Sequence, residues 1–233
     1  CHPTRTARQP QEDAGSAARQ ALETILKNIA LARQNSSPIC QDTGTPLFFV
    51  RHPQAMSTRQ LRQDLRRAVA EATRLAYLRP NAVETLSGQN SGDNLGDDAF
   101  PTIHFDEVEG DALEVDLILK GGGCENVGAQ YSLPDARLQA GRDLEGVRRA
   151  VLDAVVQAQG QGCAPGILGV AIGGDRGSSY AASKAALLRP LAEANPDPDL
   201  ADLEALLLRE GNQLGIGPMG FGGRTTLLGV KAS

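Results

Sequence analysis

The sequence predicts an α/β fold in a single domain, residues 1–233, with a mixed sheet and helices packed against it in layers. Three observations lead there. Segments of helical and strand period are interspersed along the chain rather than segregated. The strand-like runs are short and bounded by Gly-, Asn- and Asp-rich turns. With 41% hydrophobic and 22% charged residues, the 233-residue chain has ordinary globular usage and can bury a substantial core.

The elements follow in order. Ser16 to Gln34 carries Leu22, Ile25, Leu26 and Ile29 at helical spacing, which predicts an amphipathic helix packed on one side. "PLFFVRH" is short, aromatic and β-prone, and reads as a strand beginning directly after "CQDTGT". Ser57 is placed to cap a second helix that turns Leu61, Leu65, Ala68 and Ala72 to one face. "LSGQNSGDNLGDD", residues 86–98, is turn chemistry throughout and forms the longest polar loop. "PTIHFDEV" and "DALEVDLILK" then read as two strands joined by a hairpin turn at "EGD", the second alternating Leu113, Val115, Leu117 and Leu119. A helical stripe of Leu144, Val147, Val151 and Val155 spans Asp143 to Ala158, followed by the apolar strand "ILGVAIGGD". Helices about Ser178 to Leu188 and Leu200 to Leu208 flank the breaker "NPDPD", and "TTLLGV" closes the chain as a strand.

Charge narrows the choice of function. Lys plus Arg total 23 and Asp plus Glu 28, a net −5 with both signs scattered, which argues against nucleic acid and against an anionic membrane surface as partners. No run of about 18 apolar residues occurs, and "CHPTRTARQPQEDAGS" lacks the apolar centre of a signal peptide, so the expected location is cytoplasmic.

Four cysteines, at positions 1, 40, 124 and 163, are widely spread without a C-x-x-C pair, which fits neither a disulfide scaffold nor a zinc ribbon. Cys40, Cys124 and Cys163 each fall in a turn-rich loop adjoining a strand, where a thiolate is available to a soft metal such as the iron of an iron–sulfur cluster. A [4Fe–4S] cluster held by three thiolates leaves one iron to act as a Lewis acid on a substrate oxygen, which suits a hydro-lyase. The glycine clusters "KGGGCEN", "IGGDRG" and "GIGPMGFGGR" let backbone amides approach a small carboxylate, with Lys120, Arg176 and Arg224 adding charge; tight turns at strand ends are the alternative. Gly215, Gly217 and Gly220 satisfy G-x-G-x-x-G, but a helix precedes and a strand follows, the reverse of a dinucleotide site.

For acid–base work Asp42 is the candidate, with an Asx-type turn cap as its structural alternative. Arg79 in "LRPNAV" offers a bidentate clamp for a carboxylate, or else compensates a helix C-terminus. His52 and His104, in or beside strands, read as structural.

Taken in order, "CQDTGT" at 40–45, "LRPNAV" at 78–83, "NSGDN" at 90–94, "KGGGCEN" at 120–126, "GCAPG" with "GVAIGGD" at 162–175, "SKAALLRP" at 183–190 and "NQLGIGPMGFGGRTTLLGVK" at 212–231 resemble a known family. It is the N-terminal (α) region of the class I, iron–sulfur dependent fumarate hydratases and the related L(+)-tartrate dehydratases. The resemblance implies reversible hydration of a four-carbon dicarboxylate, fumarate to malate with a place in the tricarboxylic acid cycle, or dehydration of L(+)-tartrate. It implies a [4Fe–4S] cofactor with Cys40 and Cys163 as ligands. Gln41, Asp42, Arg79, Lys120 and the amides of Gly121, Gly122 and Gly123 would line the substrate site, and Asp42 would give a proton to the leaving hydroxyl.

Two departures set further expectations. The family's third ligand cysteine lies a few dozen residues beyond "GGRTT", past Ser233, while Cys124 stands where many relatives carry Ser and becomes a substitute ligand or a local variant. The family's β region, a separate subunit or C-terminal domain with further binding and proton-transferring residues, is expected as a partner in an oligomer. A different class of reading, a truncated interaction module without cluster or substrate, stays open.

Overall fold

A computed structural model describes residues 12–97 and 99–233; Cys1 lies outside them. The chain has the α/β architecture expected, and it divides into two compact units: Asn28–Gly122, and the segment ending at Lys27 together with Gly123–Ser233.

Helix α1 (Ala17–Asn35) spans the division in sequence. Its expected stripe is only partly covered: Leu22 and Ile25 are half-buried, whereas Leu26 and Ile29 are exposed, and the buried residues are the small Ala18 and Ala32.

In the Asn28–Gly122 unit, β1 (Thr45–Pro53) is the central strand of a three-stranded mixed sheet of order β2-β1-β3. Strand β2 (Thr102–Val108) runs parallel to it and β3 (Glu114–Lys120) antiparallel. The hairpin expected between β2 and β3 is therefore absent: the two flank β1 from opposite sides. A central strand is covered by neighbours along both edges, and β1 supplies the contiguous apolar run for it, with Pro46 to Phe48 and Val50 buried. The alternation of β3 was read correctly, but its apolar set Leu113, Val115, Leu117 and Leu119 is 41–48% exposed. Helix α2 (Thr58–Arg74) begins as expected, with the Ser57 hydroxyl accepting from Gln60 N–H. Its inward residues are Leu61, Leu65, Val69 and Thr73 rather than Ala68, which is exposed; Val69 packs with Phe48, Val50 and Ile103.

The second unit resumes within α3 (Gly122–Asn126), which turns the glycine cluster into one helical turn. Helix α4 (Leu144–Ala158) starts at an Asp143 cap, and α5 (Arg176–Ala186) at a capping box of Asp175 and Ser178. Helix α6 (Pro198–Gln213) starts at Asp197 with Pro at its first position, and runs several residues beyond the Leu208 expected. Strands β4 (Gly166–Val170) and β5 (Leu227–Ala232) pair in parallel as a separate two-stranded sheet. Leu207, fully buried, joins Val147, Val170, Leu203 and Val230 in the core over it. Beneath that core the Glu204 carboxylate accepts from Ala232 N–H and the Asn195 amide and pairs with Arg189, while Lys231 donates to the Leu191 and Glu193 carbonyls. Gly215, Gly217 and Gly220 stand, as read, between a helix and a strand.

Candidate active site

The loop between α1 and β1 carries Cys40, Gln41, Asp42 and Thr43. Together with the segment after α2 it walls a cleft of about 490 Å³, lined by Cys40, Gln41, Thr43, Thr73, Leu78 and Arg79 among others. The cleft lies wholly within the Asn28–Gly122 unit. Cys40 is exposed in it, so a thiol suited to a soft metal and a guanidinium suited to a carboxylate open on one space.

Asp42, between two lining residues, is turned toward its own chain. Its Oδ1 accepts from Gly44 N–H at 3.0 Å, the Asx turn foreseen as the alternative, and from the Asn81 amide at 3.3 Å. Its Oδ2 accepts from Gly122 N–H at 2.7 Å. The amide of Gly122 expected to meet a substrate carboxylate thus meets the carboxylate of Asp42 instead. A Cβ on Gly121 would lie 3.1 Å from Asp42 Oδ2, so this residue's lack of a side chain admits the contact. Lys120 ends β3 opposite Thr45 and is half-buried.

Gly44 holds the loop against the sheet. Its φ is +90°, and a Cβ there would stand 2.6 Å from the carbonyl carbon of Leu119. Both the left-handed backbone and the close strand exclude a side chain.

Three further residues of the site carried no role in the sequence reading. Thr43 Oγ1 accepts from Arg79 N–H at 2.9 Å. Asn81 reaches Asp42 as above. Asn94, 2% exposed and at φ +60°, binds the backbone of residues 79–82. The motifs "LRPNAV" and "NSGDN" contained the last two, but their roles depend on loops meeting across more than ten residues of sequence.

In the other unit, Cys163 follows a turn in which its N–H donates to Gly160 O, and its own φ is +59°. Cys124, on α3, directs its Sγ to the Gly162 carbonyl at 3.1 Å, so these two cysteine-bearing segments adjoin. Glu125 beside it pairs with Lys184 at 2.7 Å, and Lys184 lies 4.8 Å from the Tyr180 ring centroid. Burial, then the Glu125 charge, pushes the Tyr180 hydroxyl above its ordinary pKa. Cys40 in the one unit and Cys124 and Cys163 in the other are each exposed and in no disulfide, and a cysteine thiolate is the ligand chemistry that suits an iron–sulfur group. Among the described residues no three His, Cys, Asp or Glu side chains form a metal-binding group. His52 is buried against Phe105 and His104 stacks on Phe49, both structural as expected. No helix among the described residues is long and apolar enough to cross a membrane.

A family model described as "Fumarate hydratase (Fumerase)" matches residues 2–233. The chain belongs to the fumarate hydratase family. Among its relatives, a protein of Geobacillus stearothermophilus provisionally named fumarate hydratase class I is 50% identical over 95% of this chain and 43% of its own length. A Methanocaldococcus jannaschii protein provisionally named L(+)-tartrate dehydratase subunit alpha is 33% identical over 94% of this chain and 77% of its own. The L(+)-tartrate dehydratase subunit alpha of Escherichia coli K12 is 35% identical over 89% and 67%. The chain thus spans less than half of the fumarate hydratase relative and most of the alpha subunits. Its place in the family is that of an α region.

Proposed function

We propose that this chain is the α component of an iron–sulfur hydro-lyase that reversibly hydrates fumarate to malate. The observation that carries the reading is the cleft in which Cys40, Gln41 and Arg79 stand together. Dehydration of L(+)-tartrate is the second reading, favoured by the alpha subunits that match most of the chain.

Arg79 takes one carboxylate of the substrate through two parallel N–H donors, and the Gln41 amide orients the adjoining oxygen. In the dehydration direction the C–O bond breaks as the Asp42 carboxyl group gives its proton to the departing hydroxyl, which leaves as water. Oδ1 makes this transfer by giving up its contact to Asn81, the longest of the carboxylate's three. The Gly122 amide, preceded in the chain by Lys120 and Gly121, serves the site by holding Asp42 in place. The proton of the neighbouring carbon goes to a base that we assign to a β subunit or C-terminal domain.

Cys40 and Cys163 would hold a [4Fe–4S] cluster, with Cys124 beside the Cys163 loop as the tentative third ligand. When bound, the cluster supplies an iron that acts as a Lewis acid on substrate oxygens. The protein on this reading is cytoplasmic and oligomeric.

The test is anaerobic reconstitution of the complete enzyme, followed by fumarate hydration and L-tartrate dehydration assays and by iron and sulfide analysis. The first reading expects fumarate turnover and cluster absorbance, with iron lost in Cys40→Ser and Cys163→Ser. Tartrate turnover alone selects the second. Absence of iron and of both activities would return the chain to an interaction module.

A further inference from the structure

Asn94 spends its whole side chain on one short segment and its support. Its Oδ1 accepts from Asn81 N–H at 2.7 Å and from Ala82 N–H at 3.1 Å. Its Nδ2 donates to the Arg79 carbonyl at 2.8 Å and to Thr73 Oγ1 at 2.9 Å. An amide can accept twice and donate twice, so its capacity is full. Three of the four bonds fall on the backbone of residues 79–82, and the fourth ties them to the last turn of α2, where Thr73 itself donates to Val69 O. The residue is 2% exposed, and its φ of +60° is a region that asparagine adopts more readily than most residues.

The gripped segment carries Arg79, which lines the cleft, and Asn81. Arg79 has its N–H on Thr43 Oγ1 and its carbonyl on Asn94, so the root of its side chain is held from both sides. Asn81, whose N–H is also on Asn94, reaches Asp42 with its side-chain amide.

We propose that Asn94 is a positioning residue: through the backbone of residues 79–82 it sets the direction of the Arg79 guanidinium toward a substrate carboxylate and of Asn81 toward Asp42. The proposal rests on the reading of Arg79 as a dicarboxylate clamp. Asn94→Asp is the sharp variant, because aspartate tolerates the same φ and keeps an acceptor for the two amides while losing both donors to Thr73 and Arg79.

The experiment measures succinate binding by calorimetry, and KM and kcat for fumarate and L-tartrate, in the complete enzyme carrying Asn94→Asp, Arg79→Ala or both. Each single variant is expected to weaken succinate binding by about tenfold or more. The double variant is expected to bind succinate no worse than Arg79→Ala, since Asn94 reaches a carboxylate only through Arg79 and the Asn81–Asp42 contact serves a hydroxyl that succinate lacks. Additive losses would overturn the proposal. So would unchanged succinate affinity in Asn94→Asp with only a lower melting temperature, the mark of a merely structural residue, and so would a wild type that does not bind succinate. If succinate binding follows the non-additive pattern but neither substrate turns over, the positioning role stands and the hydro-lyase reading fails.

Discussion

Replacing Gly44 with alanine should destabilise the Asn28–Gly122 unit by an amount the geometry sets. A left-handed φ costs an L-residue about 1–2 kcal/mol, and Gly44 stands at +90°. The added Cβ would meet the Leu119 backbone at 2.6 Å, and displacing a strand rather than a side-chain tip adds about 1–3 kcal/mol. Gly88→Ala separates the two contributions, since Gly88 has φ +69° with nothing within 4 Å of a Cβ and should suffer the backbone cost alone. At about 2–4 °C per kcal/mol the Gly44 variant is expected to melt roughly 10 °C below wild type, and Gly88→Ala only a few degrees below. Thermal denaturation followed by circular dichroism reads both. Equal shifts in the two variants, or a Gly44→Ala protein melting with wild type, would refute the steric argument and with it the claim that β3 holds the site loop in place.

Other expectations bear on the core, on pH and on binding. Leu207→Ala removes a fully buried side chain and should lower stability by about 2–5 kcal/mol, seen as a lower urea midpoint at unchanged slope. Burial pushes the Glu204 carboxyl up, but Ala232 N–H, Asn195 and Arg189 outweigh it and hold it below the ordinary range. A carboxyl depressed in the fold stabilises above its unfolded pKa and ceases to as pH falls through the folded one. Glu204→Gln should therefore be less stable than wild type at pH 7, with the gap closing below about pH 4 in urea titrations. Arg79→Lys keeps the charge but loses the planar pair of donors, so KM for a dicarboxylate should rise about tenfold or more in steady-state kinetics.

What could be read in advance was what short stretches decide. Ser57 sits one residue before a helix whose amide it caps, and a cap with its periodic stripe is complete within a few residues, whereas the caps at Asp143 and Asp197 went unread. The hairpin at "EGD" failed because nothing in β2 or β3 states that β1, some fifty residues earlier in the chain, will come between them. The apolar alternation of β3 signalled a strand correctly and yet gave no information on whether its face is covered. At the site, Cys40 and Arg79 stood out by residue type and Gln41 through the resemblance of its motif, and the three line one cleft. Asn94 and Asn81 did not, because an asparagine in a polar loop looks like any turn residue until its partners arrive from elsewhere. The Asx alternative for Asp42 was legible, whereas its bond to Gly122 N–H was not.

That bond joins residues 80 positions apart. Closing so long a loop costs only slightly more entropy than closing one half as long, since the penalty grows with the logarithm of length, but the closure has to wait for both ends. During synthesis the chain emerges N-terminal end first, and contacts of large sequence separation form late. The Cys40–Thr43 loop therefore exists as a segment long before Asp42 has its partner, and a nascent chain released before Gly122 would carry the loop with that carboxylate oxygen still hydrated. Assembly of the chemistry is in this sense the final event in the maturation of its unit, timed by the arrival of a residue with no side chain.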